Sequence, residues 1–333
     1  MKTSIKILGL GIFAGSALGA GGLSLYENAG TQIAFPEVHE SMRTGTVLTS
    51  PLLECGELSQ SISDQTLSSL RSAVQKLMTT RQESGDLSFA SVYFRDLNNG
   101  PWFGINESEE FFPASLLKLP LAMSFYNKAE DDPSILTKEI TYTPDPSTAS
   151  QIQPFGPTRN VEQGKMYTVK DLLDIMLQES SNEAAVALSN IVKPAQITDV
   201  YHNLGLVPPI FGQDYKIDTH KYASFFRILY NATYVNKSSS ESILKSLTDA
   251  SFKDGLVAGV PQGVLVAHKF GSRQVDASGN TVQLHDCGII YAPQKPYILC
   301  VMTQGTDFTT LAGFIKSVSE SVYKNVAGDT RKE

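Results

Sequence analysis

The chain has 333 residues, of which 41% are hydrophobic and 9% aromatic, and this content excludes a disordered protein. Its 27 basic residues are outnumbered by 34 acidic ones, which gives a net charge of −7. Because nucleic-acid backbones select basic surfaces, this balance argues against a nucleic-acid partner.

The N-terminus has the pattern of an export segment. Lys2 and Lys6 precede an uncharged, mostly apolar run over residues 7–25 that is rich in small residues. The run is also about long enough to cross a bilayer core of ~30 Å, and three of its glycines repeat at the four-residue spacing of closely packed membrane helices. We therefore predict a signal peptide or an uncleaved anchor at 1–26. The rest of the chain is then extracytoplasmic, secreted or anchored, and contacts the membrane only through this segment.

Residues 27–63 mix Pro, Ser, Thr, Gly and charged residues without a sustained period, which predicts a linker. The folded domain is predicted over 64–326 and is followed by a polar tail at 327–333. Apolar residues between 67 and 77 keep helical spacing, so a helix opens the domain.

Runs typical of β-strands stand at both ends of the predicted domain. SFASVYFRDLNNGPWFGIN, from Ser88, holds two such runs around an Asn-Asn-Gly-Pro turn and predicts a hairpin. Three more runs, GVLVAHKFGS, TVQLHDCGIIYA and PYILCVMTQG, follow Val260, and residues 311–326 predict a closing amphipathic helix. The middle, 114–247, is mostly helical. These patterns predict an α/β (α+β) fold in which a five-stranded antiparallel sheet, flanked by helices, lies beside a helical lobe. A cleft between the two is a natural place for a site.

Three cysteines, Cys55, Cys287 and Cys300, cannot all pair within one chain, so at least one thiol is free or forms an intermolecular bond. Cys287 and Cys300 fall in apolar, strand-like runs, which favours two buried thiols that pack as small hydrophobic groups. A disulfide between these two is the alternative. No cluster of metal ligands emerges.

Ser115 and Lys118 form the first pair that carries chemistry. Three residues apart on a helix, the hydroxyl and the amine share one face, so the lysine can take the serine's proton. A Pro-Ala lead-in at 113–114 places Ser115 at a helix start, where free backbone amides favour a developing negative charge. The spacing alone is weak evidence, because the Ser242/Lys245 and Ser321/Lys324 pairs share it at positions typical of ordinary solvent-facing helices.

The order of motifs along the chain strengthens the case for the Ser115–Lys118 pair. Ser-Ser-Asn at 180–182 follows a helical stretch that opens at Thr168 with a predicted capping pair, and Lys-Phe-Gly at 269–271 ends a strand. Similar triplets at 253–255 and 278–280 lie in turn-like segments. Only one choice satisfies both order and setting.

The ordered set SxxK, SxN and KxG resembles the active-site-serine β-lactamases and penicillin-binding proteins. Within that group the chain is most similar to class A β-lactamases, through GKMYTVKDLLDIMLQESSNEAA and HKFGS followed by HDCGIIYAP. The resemblance implies an α/β domain beside an all-helical one, with no cofactor and no metal. It also implies that the partner is a small-molecule β-lactam or a peptidoglycan stem peptide.

The resemblance implies a proton path through four residues. Ser115 would be the nucleophile, and Lys118 would accept its proton. Ser180 would relay a proton to the leaving nitrogen, and Lys269 would supply positive charge to the relay and to the substrate carboxylate.

The resemblance also implies how the substrate is held. Asn182 would bind the side-chain amide of the substrate, and the backbone amides of Ser115 and Ser272 would form the oxyanion hole. The substrate-binding set is then Asn182, Gly271, Ser272 and Arg273.

One departure concerns release of the acyl group. Class A β-lactamases carry a loop glutamate, in an ExxLN-like segment, that activates water for deacylation. The matching stretch here, residues 205–218, offers only Asp214 and Asp218. Glu183 is an alternative, although a glutamate in the first turn of a helix is common for dipole reasons.

The second departure is Phe270, where the family usually places a threonine or serine that bonds the substrate carboxylate. Carboxylate recognition would then rest on Lys269, Ser272 and Arg273, or the substrate differs from a penicillin. His268 is on the opposite face of its strand from Lys269, so packing is expected for it rather than catalysis.

The sequence therefore predicts a β-lactamase-like serine hydrolase that is acylated on Ser115 and deacylates slowly. A D,D-carboxypeptidase or penicillin-binding protein is the nearest alternative. A non-hydrolytic binding or sensor module is the alternative of another class.

Overall fold

A computed structural model describes six stretches of the chain: 48–50, 62–98, 100–146, 153–210, 213–276 and 279–328. The predicted export segment, most of the predicted linker, Cys55 and the tail beyond 328 lie outside them. Within these stretches, no helix combines the length and the apolarity needed to cross a membrane.

The described part of the chain contains the opening helix, the hairpin, the mostly helical middle, the three later strands and the closing helix that the sequence predicts, together with four short strands that it does not. The helices are α1 (Asp64–Glu83), α2 (Lys118–Asp131), α3 (Ser134–Thr137), α4 (Val169–Gln178), α5 (Asn182–Ser189), α6 (Pro194–Asn203), α7 (Thr219–Tyr230), α8 (Lys237–Thr248) and α9 (Phe308–Gly328). The strands are β1 (Phe89–Asp96), β2 (Trp102–Ile105), β3 (Glu110–Phe111), β4 (Glu139–Thr141), β5 (Met166–Thr168), β6 (Ile217–Asp218), β7 (Val266–Gln274), β8 (Val282–Ile290) and β9 (Tyr297–Gly305). Short 3₁₀ helices cover Ala114–Leu117 and Val257–Gly259.

The main sheet has five antiparallel strands in the order β2-β1-β9-β8-β7, which confirms the predicted sheet built from both ends of the chain. β7 is an edge strand, so one of its sides is open to the helical lobe. Two small ribbons, β3 with β6 and β4 with β5, complete the pairing among the described residues.

The sheet is buried on both faces. The first and last helices, α1 and α9, cover one face, where Leu70, Val74 and Phe314 pack with Val301 of β9. The alternate residues of β9, such as Met302, face the helical lobe instead. This alternation follows from the pleat of the strand, which sends successive side chains to opposite faces.

α4 shows how local signals fix the helical lobe. The Thr168 hydroxyl accepts the backbone N–H of Asp171, and the Asp171 carboxylate accepts the backbone N–H of Thr168, so the predicted capping pair is confirmed. Inside the helix, Leu172, Leu173 and Met176 are fully buried. The amphipathic pattern therefore fixes which side of α4 enters the core.

The prediction that Cys287 and Cys300 are buried thiols is right about burial and wrong about chemistry. Both residues are fully buried, but they lie opposite each other in the β8–β9 register and form a disulfide. The alternative pairing is the correct one. The sequence could not choose it because the pairing depends on strand register.

Residues 48–50 of the predicted linker pack on the folded domain, and so does Ile62 just before α1. Leu48, Thr49 and Ser50 are buried, and Glu241 of α8 accepts the backbone N–H groups of Leu48 and Thr49. The prediction of a linker over 27–63 is therefore wrong at 48–50. A carboxylate provided by a distant helix holds this segment in place, and local composition could not reveal it.

Candidate active site

Ser115 lies on a strained turn at the entrance to α2. Ala114, just before it, has φ +49°, and the 3₁₀ helix Ala114–Leu117 runs directly into α2. Because residues i and i+3 eclipse in a 3₁₀ helix, the side chains of Ser115 and Lys118 align. The distance from Lys118 Nζ to Ser115 Oγ is 3.0 Å. The predicted pair is therefore in contact.

Ser180 lies between the end of α4 and the start of α5. It has φ +57°, a left-handed conformation that is uncommon outside glycine. Ser181 caps α5 by accepting the backbone N–H of Ala184 at 3.1 Å, which makes Asn182 the first helical residue. The cap fixes the direction in which Ser180 and Asn182 leave the backbone.

Lys269 reaches the same place from β7. Its side chain is 1% exposed, and Nζ donates to Ser180 Oγ at 2.9 Å and to the carbonyl of Phe270 at 3.0 Å. Gly271, two residues on, lies against the turn before α2, where a Cβ would come within 2.7 Å of the Pro113 carbonyl. Glycine therefore lets the strand approach the Ser115 turn.

Lys118 is the centre of the cluster. Besides Ser115, its Nζ contacts the carbonyl and hydroxyl of Ser180 and Oδ1 of Asn182, the last at 2.7 Å. Burial lowers the pKa of Lys118 from 10.5 to about 7, while the Glu183 carboxylate acts in the opposite direction. A large neutral fraction at neutral pH makes this amine able to accept a proton.

The pKa of Lys269 is lowered as well. Burial and, next, the charge of Lys118 lower the pKa of Lys269 well below its ordinary value, and Asp286 partly offsets them. The cluster thus forms a continuous chain of contacts from Ser115 through Lys118 and Ser180 to Lys269. Such a chain can move a proton from the serine hydroxyl toward a group bound beside Ser180.

The side chains of the residues before and after Lys269 point into the core between the sheet and the helices α1 and α9. His268 is fully buried, and its Nδ1 lies 2.7 Å from Oδ1 of Asp286. Phe270 is 3% exposed and stacks on Phe252 with ring centroids 4.4 Å apart. The expected packing role of His268 is confirmed, and Phe270 is committed to the core.

Arg273 lies farther along β7, at the exposed end of the site. Its guanidinium is 4.1 Å from the ring centroid of Phe112 and 3.6 Å from Oδ1 of Asp214. Lys216 approaches the same ring, with Nζ at 5.0 Å. Arg273 is therefore near the Ser115 turn, and its role in binding stays a prediction, as does that of half-buried Ser272.

The loop carboxylates have other contacts. Asp218 caps α7 by accepting the Lys221 backbone N–H at 2.7 Å, and Asp214 is the neighbour of Arg273. Glu183 accepts the Ser181 hydroxyl at 3.2 Å. Each of the three carboxylates that the sequence offers as a water-activating group therefore has a contact with another group of the protein.

The two other Ser/Lys pairs with SxxK spacing have different surroundings in the structure. Lys245 donates to both carboxylate oxygens of Asp249, at 2.9 and 3.0 Å, on the surface of α8. Lys324 likewise pairs with Glu320 on α9. Both lysines bond to acidic residues four positions away, as surface helix pairs do.

Two residues of the site escape prediction from sequence. The Tyr222 hydroxyl donates to the carbonyl of Leu116 at 3.0 Å and holds the Ser115 turn from α7. Gln153 Nε2 donates to the carbonyl of Ser180 at 3.1 Å. Neither belongs to a motif, so no local signal could have found them.

Comparisons with known proteins give a family for the chain and similar solved folds. A family model for the beta-lactamase enzyme family matches residues 69–326. No curated protein sequence matches the chain at a significant level.

The solved structures that are similar in fold include the following three. PBP-A has 19% identity and a TM-score of 0.63, covering 78% of this chain and 96% of its own. A beta-lactamase from Chitinophaga pinensis has 18% identity and a TM-score of 0.66, with coverages of 77% and 98%. A mutant of PBP-A, solved as an acyl-enzyme complex with penicillin-G, has 20% identity and a TM-score of 0.62, with coverages of 78% and 96%.

Proposed function

We propose that this chain, which belongs to the beta-lactamase enzyme family, is a serine hydrolase that forms an acyl-enzyme on Ser115. Its substrates are β-lactams, cell-wall peptides ending in D-Ala-D-Ala, or both. The observation that carries the proposal is the 3.0 Å contact between Ser115 Oγ and the buried, low-pKa amine of Lys118. That contact supplies what a serine hydroxyl needs to become a nucleophile.

Acylation then follows from the cluster. Ser115 Oγ attacks the amide carbonyl carbon and passes its proton to the neutral Nζ of Lys118. As the C–N bond breaks, the Ser180 hydroxyl gives a proton to the leaving nitrogen and is resupplied from the neighbouring lysines. Lys269, 2.9 Å from Ser180 Oγ, keeps that hydroxyl directed into the relay.

The substrate would be held by groups around this path. The backbone amides of Ser115 and Ser272 receive the developing oxyanion, which the close approach of Gly271 to the Ser115 turn makes geometrically reasonable. Asn182 binds the side-chain amide of the substrate. The carboxylate of the bound substrate favours the protonated form of Lys269, which then supplies positive charge to it, with the exposed guanidinium of Arg273 as the second cation.

Deacylation is proposed to be slow. It needs a group that activates water beside the ester, and Asp214, Asp218 and Glu183 each have a contact of another kind. The PBP-A mutant that was captured as an acyl-enzyme with penicillin-G is a relative in fold for which such an adduct exists. A penicillin-binding protein or D,D-carboxypeptidase is therefore the second candidate function, favoured over a fast β-lactamase by the short loop at 205–218.

A labelling experiment tests the acylation step. Fluorescent penicillin should label the wild type and leave Ser115→Ala unlabelled. Ser242→Ala is the matched control, because Ser242 begins the surface SxxK imitation on α8, and it should label normally. If Ser115→Ala labels like the wild type, or if no protein labels, acylation on Ser115 is wrong.

The same proteins distinguish the two candidates. A chromogenic cephalosporin should give a burst of at most one equivalent followed by slow turnover, and a D-Ala-D-Ala peptide should release D-alanine if the chain is a peptidase. Many rapid turnovers would instead identify an efficient β-lactamase. Stable labelling without any hydrolysis would favour the sensor module.

This chemistry requires access to the cell wall. We propose that residues 1–26 export the domain, either as a cleaved signal peptide or as a retained anchor, so that the site works outside the cytoplasm.

A further inference from the structure

A short segment from Gln153 to Thr158 joins Ser180 to the aromatic core behind β7. At one end, Gln153 Nε2 donates to the carbonyl of Ser180 at 3.1 Å. At the other end, the backbone N–H and hydroxyl of Thr158 donate to Oε2 of Glu179, each at 2.9 Å. The segment therefore bonds to two consecutive residues that precede α5.

Phe155, between these two ends, anchors the segment in the sheet domain. Its ring centroid is 4.8 Å from that of Phe252 and 6.0 Å from those of Phe270 and Phe308. All three contacts have the edge-to-face geometry that aromatic rings prefer. Phe270 thus packs against a residue of the helical lobe, which gives its bulk a function at a position where the related enzymes usually carry a hydroxyl.

Gln153 matters because its amide and Lys118 donate to the same acceptor, the carbonyl of Ser180. Four oxygen atoms surround Nζ: Oγ of Ser115, the carbonyl and hydroxyl oxygens of Ser180, and Oδ1 of Asn182. A neutral amine has only two N–H groups and one lone pair, which must face Ser115. Donors from elsewhere are needed if the amine is to be neutral without leaving buried acceptors unpaired.

Lys269 supplies the one outside donor that this count requires, and Gln153 adds a second. Lys269 donates to the Ser180 hydroxyl, and Gln153 donates to the Ser180 carbonyl. The carbonyl belongs to a residue in a left-handed conformation, which persists only where its surroundings hold it. The amide of Gln153 therefore both holds Ser180 and frees Lys118 from one of its acceptors.

We propose that Gln153 is a positioning residue for Ser180 that keeps Lys118 available as a base, and that Phe155 holds Gln153 in place through the aromatic pocket of Phe252, Phe270 and Phe308. The proposal rests on the proposed acylation of Ser115. Without Gln153, the Ser180 carbonyl depends on Lys118 alone. Because an ammonium N–H bonds a carbonyl more strongly than a neutral amine N–H does, the protonated form of Lys118 is then favoured and its pKa rises. Lys118 is faced by Lys269 from β7 and Glu183 from α5, and every variant below keeps both.

The test compares Gln153→Met, which keeps length but cannot donate, with Phe155→Ala and with Gln75→Ala, a surface control on α1. Acylation by fluorescent penicillin is measured from pH 5 to 9 on full-length protein, roughly spanning the range in which a depressed lysine titrates. Gln153→Met should acylate about 10-fold more slowly at neutral pH, with the midpoint of the profile about half a unit or more higher. Phe155→Ala should move the midpoint in the same direction, and Gln75→Ala should match the wild type.

A titration of Lys118 by NMR on lysine-labelled protein gives a readout that needs no substrate. It should show the same rise in pKa in Gln153→Met. An unchanged midpoint in both measurements would overturn the proposal, even if the melting temperature falls, because a merely structural residue lowers amplitude without moving a titration. If the wild type is not acylated at all, the proposed function fails, and the NMR titration alone decides the role of Gln153.

Discussion

Two residues of the site have backbone conformations that their side chains disfavour. Ala114 and Ser180 both have positive φ, and each adjoins or belongs to the contact chain from Ser115 to Lys269. Such conformations cost about 1–3 kcal/mol each and are found where function requires them. The strain marks the places where the chain gives up local stability to aim a hydroxyl, at Ser115 and at Ser180.

At this scale the pKa of Lys118 predicts a pH dependence. The acylation rate constant should rise with pH and level off, with a midpoint near the Lys118 pKa of about 7, because only the neutral amine accepts the Ser115 proton. An ordinary lysine would place that midpoint near 10.5. The profile of fluorescent-penicillin acylation measures it.

Lys118→Met is the control for this assignment. It has no group that titrates, so its residual acylation should not follow the same curve. If the midpoint survives in Lys118→Met, another group is responsible for the pH dependence.

Among the elements, β7 does the most to assemble the site. Lys269 and Gly271 face the Ser115 turn, while His268 and Phe270 alternate with them into the core under α1 and α9. One nine-residue strand thus contributes a lysine to the cluster around Ser115 and closes the core behind it. As the edge strand, it can do this without breaking the pairing of the sheet.

This alternation predicts the effect of restoring the family's hydroxyl at position 270. Phe270→Thr should lower the free energy of unfolding by about 3 kcal/mol, since it removes a buried ring from the pocket shared with Phe252 and Phe155. It should not raise the rate of acylation by penicillin. Denaturant unfolding and the labelling assay measure the two effects, and a stable variant that is acylated faster would contradict this account of the strand.

At the scale of the whole molecule, distant segments are joined by single polar side chains. Glu241 accepts hydrogen bonds from three donor groups, namely the backbone N–H groups of Leu48 and Thr49 and the Thr49 hydroxyl, the last at 2.6 Å. The Tyr291 hydroxyl donates to the carbonyl of Leu48 at 2.8 Å. The segment before α1 is thereby bonded to α8 and to the residue that follows β8.

Removal of that carboxylate should release the segment. Glu241→Ala is expected to lower the free energy of unfolding by about 2–3 kcal/mol, because buried backbone N–H groups lose a charged acceptor. Glu320→Ala, which removes only a surface pair with Lys324, should change it by less than about 0.5 kcal/mol. Equal effects in chemical denaturation would show that the segment contributes nothing to stability.

The sequence was a good guide wherever the signal is local. Periodicity predicted α1, α9 and the five strands, a capping pair predicted the start of α4, and the ordered motifs predicted the residues that meet at Ser115. These features depend on neighbours within a few positions or on the order of motifs along the chain.

What the sequence by itself determined is therefore the class of fold, the family and the set of side chains that meet around Ser115. The tertiary structure decided the rest: the Cys287–Cys300 disulfide, the docking of residues 48–50, the packing of Phe270 and the contact of Gln153 with Ser180. The physical reason is the same in each case. Every one of these contacts joins residues whose proximity is set by strand register or by packing between elements, and neither leaves a local pattern in the chain.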